Sequence, residues 1–366
     1  VRVAFIAREW EYDAQGQVVQ PGPATYYRCL LPAASLREYG GHDAWVFNRW
    51  GTSHGEIVPC DRDGTHYHGW DVVVLHHSWV EREMVDAIEI ARDLGQIVIL
   101  DADDHALAVH WSSRAATHPD YADNYNQAFL AASHVTVSTP FLAEVVRGLG
   151  QSNVTVLRNM IDLRLWDRQP VRDRVRLVGW VGLTTRLRPQ DLGQLGTGLR
   201  RFLRAHPAIR FLHAGDAPDM PRAAKLIGVP ASLSVERPCV RLEGYPALWR
   251  DIDIALCPLN PNSDYNRAKS ALKCLESSAA GVPFVASDLD EYRAYSAGWG
   301  RLASTPREWQ DALEALLDRE ARQDLADRAH ERVLKEDCSV RYREWSDLYE
   351  RLGTVDSSIW AKSDGT

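Results

Sequence analysis

Short apolar runs rich in β-branched residues alternate with stretches of helical spacing along the first 160 residues. The runs are VRVAFIA (1–7), DAWVF (43–47), DVVVLHH (71–77), IVILDA (97–102) and VTVST (135–139), with helical tracts at 26–39 and 81–94. This βαβα order predicts a parallel sheet with helices on both faces. A second series follows Asp162, with strands expected at RLVGWVG (176–182), IRFLHAG (209–215), VRLEG (240–244), IDIALCP (252–258) and PFVAS (283–287), and a helical tract at 195–205. The expected fold class is α/β, with two tandem Rossmann-like domains, an interdomain cleft and C-terminal helices. Residues 1–162 form the first domain and 175–338 the second, joined by the charged stretch Asp162 to Arg174 that holds Pro170. Residues 339–366 are expected as a final helix and polar tail that pack back on the first domain.

Composition narrows the class. A length of 366 residues suits two domains of about 150 residues each. Apolar content of 45% with 25% charged residues is that of a soluble globular protein. No apolar run reaches the ~18 residues of a membrane span, and VRVAFIA reads as a first strand, not a signal peptide, so a cytoplasmic location is expected. The six cysteines are scattered without a C-x-x-C pair, so no metal or redox motif is implied. Asn153-Val-Thr155 matches a glycosylation acceptor and is read as incidental. The net charge of −8 is unevenly spread: residues 1–160 hold 11 Arg, no Lys and 20 acidic residues, a balance of −9, which leaves +1 for the rest. A more basic second half suits an anionic ligand.

Ligands of doubly wound sheets bind outside the carboxyl ends of the strands. In the first half these ends carry Trp10, Trp50, Trp79 and Trp111, together with Glu9, His76, His77, Asp101, Asp103, Asp104 and His105. Aromatic rings beside carboxylates and imidazoles suit a sugar, since Trp offers an apolar face and an N–H. Trp10, Trp79, Trp111 and Asp104 are the expected acceptor contacts, and Asp103 and His76 the catalytic candidates. In the second half, Asn266 to Asp288 is expected as a helix followed by a strand, with Lys269, Lys273 and Glu276 at i, i+4 and i+7 on one face. Two cations near a helix N-terminus seat a diphosphate, and Glu276 would accept from sugar hydroxyls. Arg outnumbers Lys 37 to 5 in this chain, which makes two lysines in this one stretch pointed.

Several motifs together resemble the GT-B glycosyltransferases, in particular the large retaining family four and its relatives. They are Gly22-Pro-Ala-Thr-Tyr-Tyr-Arg28 with Tyr39-Gly-Gly-His42, Ser138-Thr-Pro-Phe-Leu142, Asn159-Met-Ile-Asp162, Gly179-Trp-Val-Gly-Leu-Thr-Thr185, and Ala279 to Asp288 (AAGVPFVASD). The resemblance implies transfer of a sugar from a UDP- or GDP-sugar with retention, in which the leaving phosphate acts as base. It implies donor contacts from Gly22, Thr184, Arg186, Lys269, Ser270, Lys273 and Glu276, with Lys269 and Lys273 also serving catalysis, and a base contact from Arg241 to Tyr245. The first of the family's two glutamates is replaced by Ala268, and Asn266-Arg-Ala-Lys-Ser270 resembles a subgroup with Lys-Ser and a single retained Glu. No cofactor or metal is implied: although Asp101-Ala-Asp103 spells D-x-D, the basic helix can take the leaving diphosphate's charge. The acceptor is open among glycan, lipid, protein and small molecule. A nucleobase transferase acting on DNA is disfavoured by the acidic first half, and a nucleotide-sugar epimerase of the same fold is the other alternative.

Overall fold

The computed structural model describes residues 1–15, 17–76, 82–108, 120–182, 189–216 and 223–353. The chain forms two compact units, one of residues 1–161 with the segment from Cys338, the other Asp162–Asp337. In chain order the strands of the first unit are β1 (Arg2–Ala7), β2 (Trp10–Tyr12), β3 (Val18–Pro21), β4 (Asp43–Phe47), β5 (Trp50–Ser53), β6 (Glu56–Pro59), β7 (Val72–His76), β8 (Ile97–Ala102), β9 (His134–Val137) and β10 (Val154–Val156). Six of them make a parallel sheet in the order β10-β9-β8-β7-β1-β4, while β2 with β3 and β5 with β6 are antiparallel hairpins. The central β7 is buried along its whole length, as expected for a parallel strand covered on both faces. The sheet register sets Ala7 beside His76, His76 beside Asp101 and Asp101 beside Thr136, so three polar side chains line up across β7, β8 and β9.

The second unit holds β11 (Leu177–Val181), β12 (Arg210–Asp216), β13 (Ser234–Pro238), β14 (Ile254–Cys257), β15 (Phe284–Ser287) and β16 (Arg301–Ala303) in the order β13-β12-β11-β14-β15-β16. Numbered within the unit this is 3-2-1-4-5-6, the order of dinucleotide-binding sheets, with its switch point between β11 and β14. The first unit runs 2-1-3-4-5-6, with its switch point between β1 and β7. The expected strand VRLEG is not one. Residues Leu242–Trp249 form 3-10 turns, and the third strand is Ser234–Pro238. That strand lies at the sheet edge and carries Glu236, Arg237 and Pro238, so it lacks the apolar run that marks an interior strand.

The stretch read as a linker packs into the second unit. Arg172 donates to the Asp253 carboxylate (2.8 Å) and to the Arg250 carbonyl (2.9 Å), Arg168 pairs with Asp327, and the Gln169 N–H reaches the Ala280 carbonyl (2.9 Å). In the first unit, helix Cys338–Gly353 buries Trp345 and Tyr349 against Phe5, with ring centroids 6.4 and 6.0 Å away. His42 Nε2 lies 2.6 Å from Ser346 Oγ on the same helix. Among the described residues no helix is long and apolar enough to cross a membrane.

Helix Gly196–Ala205 presses so closely on helix Pro306–Ala315 that a Cβ at Gly198 would stand 1.9 Å from the Pro306 carbonyl oxygen. Backbone cannot yield as a side-chain tip does. Gly198→Ala is expected to destabilise the second unit by about 1–3 kcal/mol, read as a lower denaturant midpoint at unchanged slope.

Candidate functional site

Each sheet brings a polar cluster to its switch point. In the first unit, Gly22 opens the helical segment, and its N–H donates to the Glu9 carbonyl (2.8 Å). A Cβ at Gly22 would meet the Glu9 carboxyl carbon at 2.4 Å. That carboxylate in turn accepts from the Ala24 N–H (2.9 Å). The helix then widens into a π-helical turn, Tyr26–Leu30, closed by the Leu31 N–H on the Tyr26 carbonyl, a local insertion common at functional sites.

Arg28 lies within this turn and is wholly buried. Its Nε and Nη2 form a fork onto Asp101 Oδ2 (3.0 Å) and Oδ1 (2.7 Å), while Nη1 donates to the Leu157 carbonyl (2.5 Å) and Asn159 Oδ1 (3.0 Å). The guanidinium carbon sits 4.9 Å from the Trp345 ring centroid. Asp101 is also met by His76 Nδ1 (2.9 Å) and the Thr136 hydroxyl (2.5 Å). Burial alone would favour the neutral acid, but the Arg28 charge and the hydrogen bonds from His76 and Arg28 hold the Asp101 carboxyl well below the usual carboxylate range. Both Asp101 oxygens are thus engaged inside the protein, so Asp101 and Asp103 do not present a D-x-D pair.

His76 is wholly buried on Asp101, so it belongs to the floor of this cluster and not to its open rim. Asp103, Asp104 and His105 follow in a half-buried turn, where the Ser138 hydroxyl donates to the Asp103 carbonyl (3.2 Å). Trp10 is half-buried in β2, and its indole N–H is given to the Ala7 carbonyl (2.6 Å), leaving the ring to act by its faces. Trp50 is half-buried in the β5 hairpin. His77, Trp79 and Trp111 lie outside the described residues.

In the second unit the expected continuous helix from Asn266 is broken. A short helix, Asp264–Arg267, ends in a turn, and a new helix runs Leu272–Ala279 with Ala271 at its cap. The buried Asn266 fixes the break: its side-chain amide donates to Asp191 Oδ1 (2.5 Å) and the Asn260 carbonyl (3.1 Å). Lys269 and Ser270 therefore stand immediately before a helix N-terminus instead of on a helix face. The Lys269 ammonium lies 4.4 Å from the Tyr265 ring centroid. Lys273 and Glu276 touch, Nζ to Oε2 at 2.9 Å. The Tyr245 hydroxyl donates to the same Glu276 oxygen (2.7 Å) and is itself met by Lys273 Nζ. Burial, and then the Glu276 charge, push the Tyr245 phenol well up, so it stays a donor. Glu276 is only 1% exposed, a paired acid beneath Lys273 and not a freely displayed one. Ala268, where the resembled family has its first glutamate, is fully buried. Thr184 and Arg186 lie outside the described residues.

The pattern of residues did not point to Arg28, Tyr245 or Asp191 as organisers, because each acts through partners distant in the sequence. Nor did it single out His213 within IRFLHAG, which faces Trp180 and Glu236.

No protein-family profile and no curated protein sequence matches this chain. Solved structures do match. Sucrose-phosphate synthase from Thermosynechococcus elongatus superposes over 96% of this chain and 98% of its own, with a TM-score of 0.68 at 13% identity. Anabaena HepE in complex with UDP-glucose matches over 96% and 99%, with a TM-score of 0.63 at 12% identity. A trehalose-6-phosphate protein from E. coli bound with UDP-2-fluoro glucose matches over 97% and 100%, with a TM-score of 0.63 at 9% identity. These neighbours are GT-B glycosyltransferases. The fold is GT-B. In this GT-B chain the two polar clusters lie at the carboxyl ends of the two sheets, one in each unit.

Proposed function

We propose that this chain is a glycosyltransferase that moves a sugar from a UDP-sugar to an acceptor hydroxyl. The observation that carries the reading is the start of helix Leu272–Ala279 at the second unit's switch point, with Lys269 and Ser270 just ahead of its first turn, whose N–H groups have no partner within the helix. As the bond to the sugar breaks, negative charge grows on the departing diphosphate. A helix N-terminus, an ammonium and a hydroxyl aimed there stabilise that charge more in the transition state than in the ground state. Lys273 adds a second cation while holding Glu276, whose carboxylate is the proposed partner of the ribose hydroxyls. Neutralisation by these groups is the reason a metal is left out of the proposal. Neighbouring structures in complex with UDP, UDP-glucose and UDP-2-fluoro glucose support uridine over guanosine.

On the first unit, Asp103 and Asp104 are the proposed contacts to the sugar or acceptor, with Trp10 as an apolar face. His76 acts beneath them through Asp101. Retention, with the leaving phosphate as base, and membership of a Lys-Ser subgroup of retaining family four rest on the sequence motifs. Because Ala268 replaces a sugar-binding glutamate and is buried, the transferred sugar's hydroxyls fall to other groups.

The test is a thermal-shift series with UDP, GDP, ADP and their glucose conjugates. A ligand that binds the native state raises the melting temperature. UDP and UDP-glucose are expected to do so more than the guanosine and adenosine compounds. No shift with any of them at about 1 mM, an upper bound for ordinary KM values, overturns the proposal.

A further inference from the structure

A carboxyl group taken out of water is stable in a fold only where polar partners meet it. Glu276 of helix Leu272–Ala279 is buried, and two groups meet its Oε2: Lys273 Nζ at 2.9 Å and the Tyr245 hydroxyl at 2.7 Å. Lys273 Nζ also donates to the Tyr245 oxygen and lies 5.0 Å from the centroid of its ring. An ammonium can only donate, so Lys273 takes a lone pair of the phenolic oxygen and leaves the single phenolic proton for Glu276. The phenol, pushed well up by burial and then by the Glu276 charge, keeps that proton at neutral pH.

Aromatic rings fix where the phenol stands. Trp166 meets it edge to face, with centroids 6.3 Å apart and planes at 84°, and Trp166 in turn lies 6.4 Å from the buried Trp249 at the end of the same 3-10 segment. Tyr245 thus comes from the segment ahead of β14 and Glu276 from the helix beyond it, so the hydroxyl bridges 31 positions of sequence. The two partners of Glu276 differ in one respect. Lys273 is the second cation proposed for the diphosphate, so a bound donor can draw it away, whereas Tyr245 carries no charge that a diphosphate attracts. We infer that Tyr245 is a positioning residue of the donor site, whose hydroxyl holds Glu276 in place for the ribose hydroxyls when Lys273 turns to the diphosphate. This rests on the proposed transferase reading. It replaces the base contact that the family resemblance implies for Tyr245, since the residue then acts through Glu276 and not on the nucleotide itself.

Calorimetric titration of the full chain with UDP and with 2′,3′-dideoxy-UDP, which lacks both ribose hydroxyls, tests this. Tyr245→Phe keeps the ring and removes only the hydroxyl. It should bind UDP about tenfold more weakly than wild type, the scale of one hydrogen bond to a charged group, yet bind the dideoxy probe as wild type does. An equal loss with both probes means damage to the site at large or a contact with base or diphosphate, and overturns the inference. Undiminished UDP affinity overturns it too. A second pair of variants covers the case in which Tyr245→Phe misfolds because Glu276 lacks a donor. Glu276→Ala leaves no carboxyl group to hold, so Glu276→Ala with Tyr245→Phe should match Glu276→Ala alone in UDP affinity. A further loss of about tenfold in the double variant makes Tyr245 a direct ligand contact and overturns the positioning role. If wild type binds neither probe, the transferase reading fails and the inference with it. If wild type binds UDP and Tyr245→Phe does not tell the two probes apart, the inference alone fails.

Discussion

Replacing Arg28 with methionine should cost the first unit about 3–5 kcal/mol, since it leaves the Asp101 carboxylate buried without its cation. The side chain also satisfies the Leu157 carbonyl and Asn159, which tie β10 and the segment after it to the helical turn that bears Arg28. Arg28→Lys keeps the charge but not the fork and should fall between wild type and Arg28→Met. If the cost is that of a stranded charge, Arg28→Met with Asp101→Asn will be more stable than Arg28→Met alone. The acid limb gives an independent check. The folded Asp101 carboxyl is held below its unfolded value of about 3.9. Its stabilisation is therefore complete above that pH and is lost as pH falls through the folded value. The gap between wild type and Arg28→Met should narrow below about pH 4. A constant gap, or a double variant no better than the single, means that packing and not charge is what Arg28 supplies.

Lys269→Ala is expected to lower kcat by about 10²–10³-fold with the fold intact, the range seen when one donor to developing negative charge is removed. The residue precedes the helix cap, and its backbone N–H bond to the Asn266 carbonyl (3.0 Å) survives the substitution, so circular dichroism and melting should stay near wild type. Lys269→Arg should restore part of the rate, because a guanidinium also serves a diphosphate. The same substitution should weaken UDP binding less than it slows turnover. Equal losses in both would make Lys269 a ground-state binding residue. Unchanged turnover would remove it from the site.

Much of the architecture was readable because parallel strands buried on both faces announce themselves. VVVLH and IVIL run apolar without alternation, and nine of the twelve strands in the two six-stranded sheets overlap apolar runs read from the sequence. The failures have physical causes. Ser234–Pro238 is an edge strand with two charges and a proline, and three-residue strands such as Val154–Val156 give no period to count. The helix break at Ala268 to Ala271 was hidden because its cause, Asn266 bonded to Asp191, spans 75 positions. Residue type drew attention to Lys269, Lys273 and Glu276, but spacing could not show that Lys273 and Glu276 pair with each other and with Tyr245. In the first unit, Asp101 and His76 drew attention as rim residues. The register that sets Ala7, His76, Asp101 and Thr136 in a row makes them its buried floor. Across the sheet from any one strand, neighbours are set by pairing, and pairing is a property of the fold that no local window contains.

The N-terminus of helix Leu272–Ala279 is the proposed seat of the donor diphosphate. A crystal structure of the protein with UDP-2-fluoro glucose tests it most directly. Phosphate oxygens are expected within hydrogen-bond distance of the Leu272 or Lys273 backbone N–H and of Lys269 Nζ. A diphosphate bound elsewhere, with that helix end left to solvent, would contradict it.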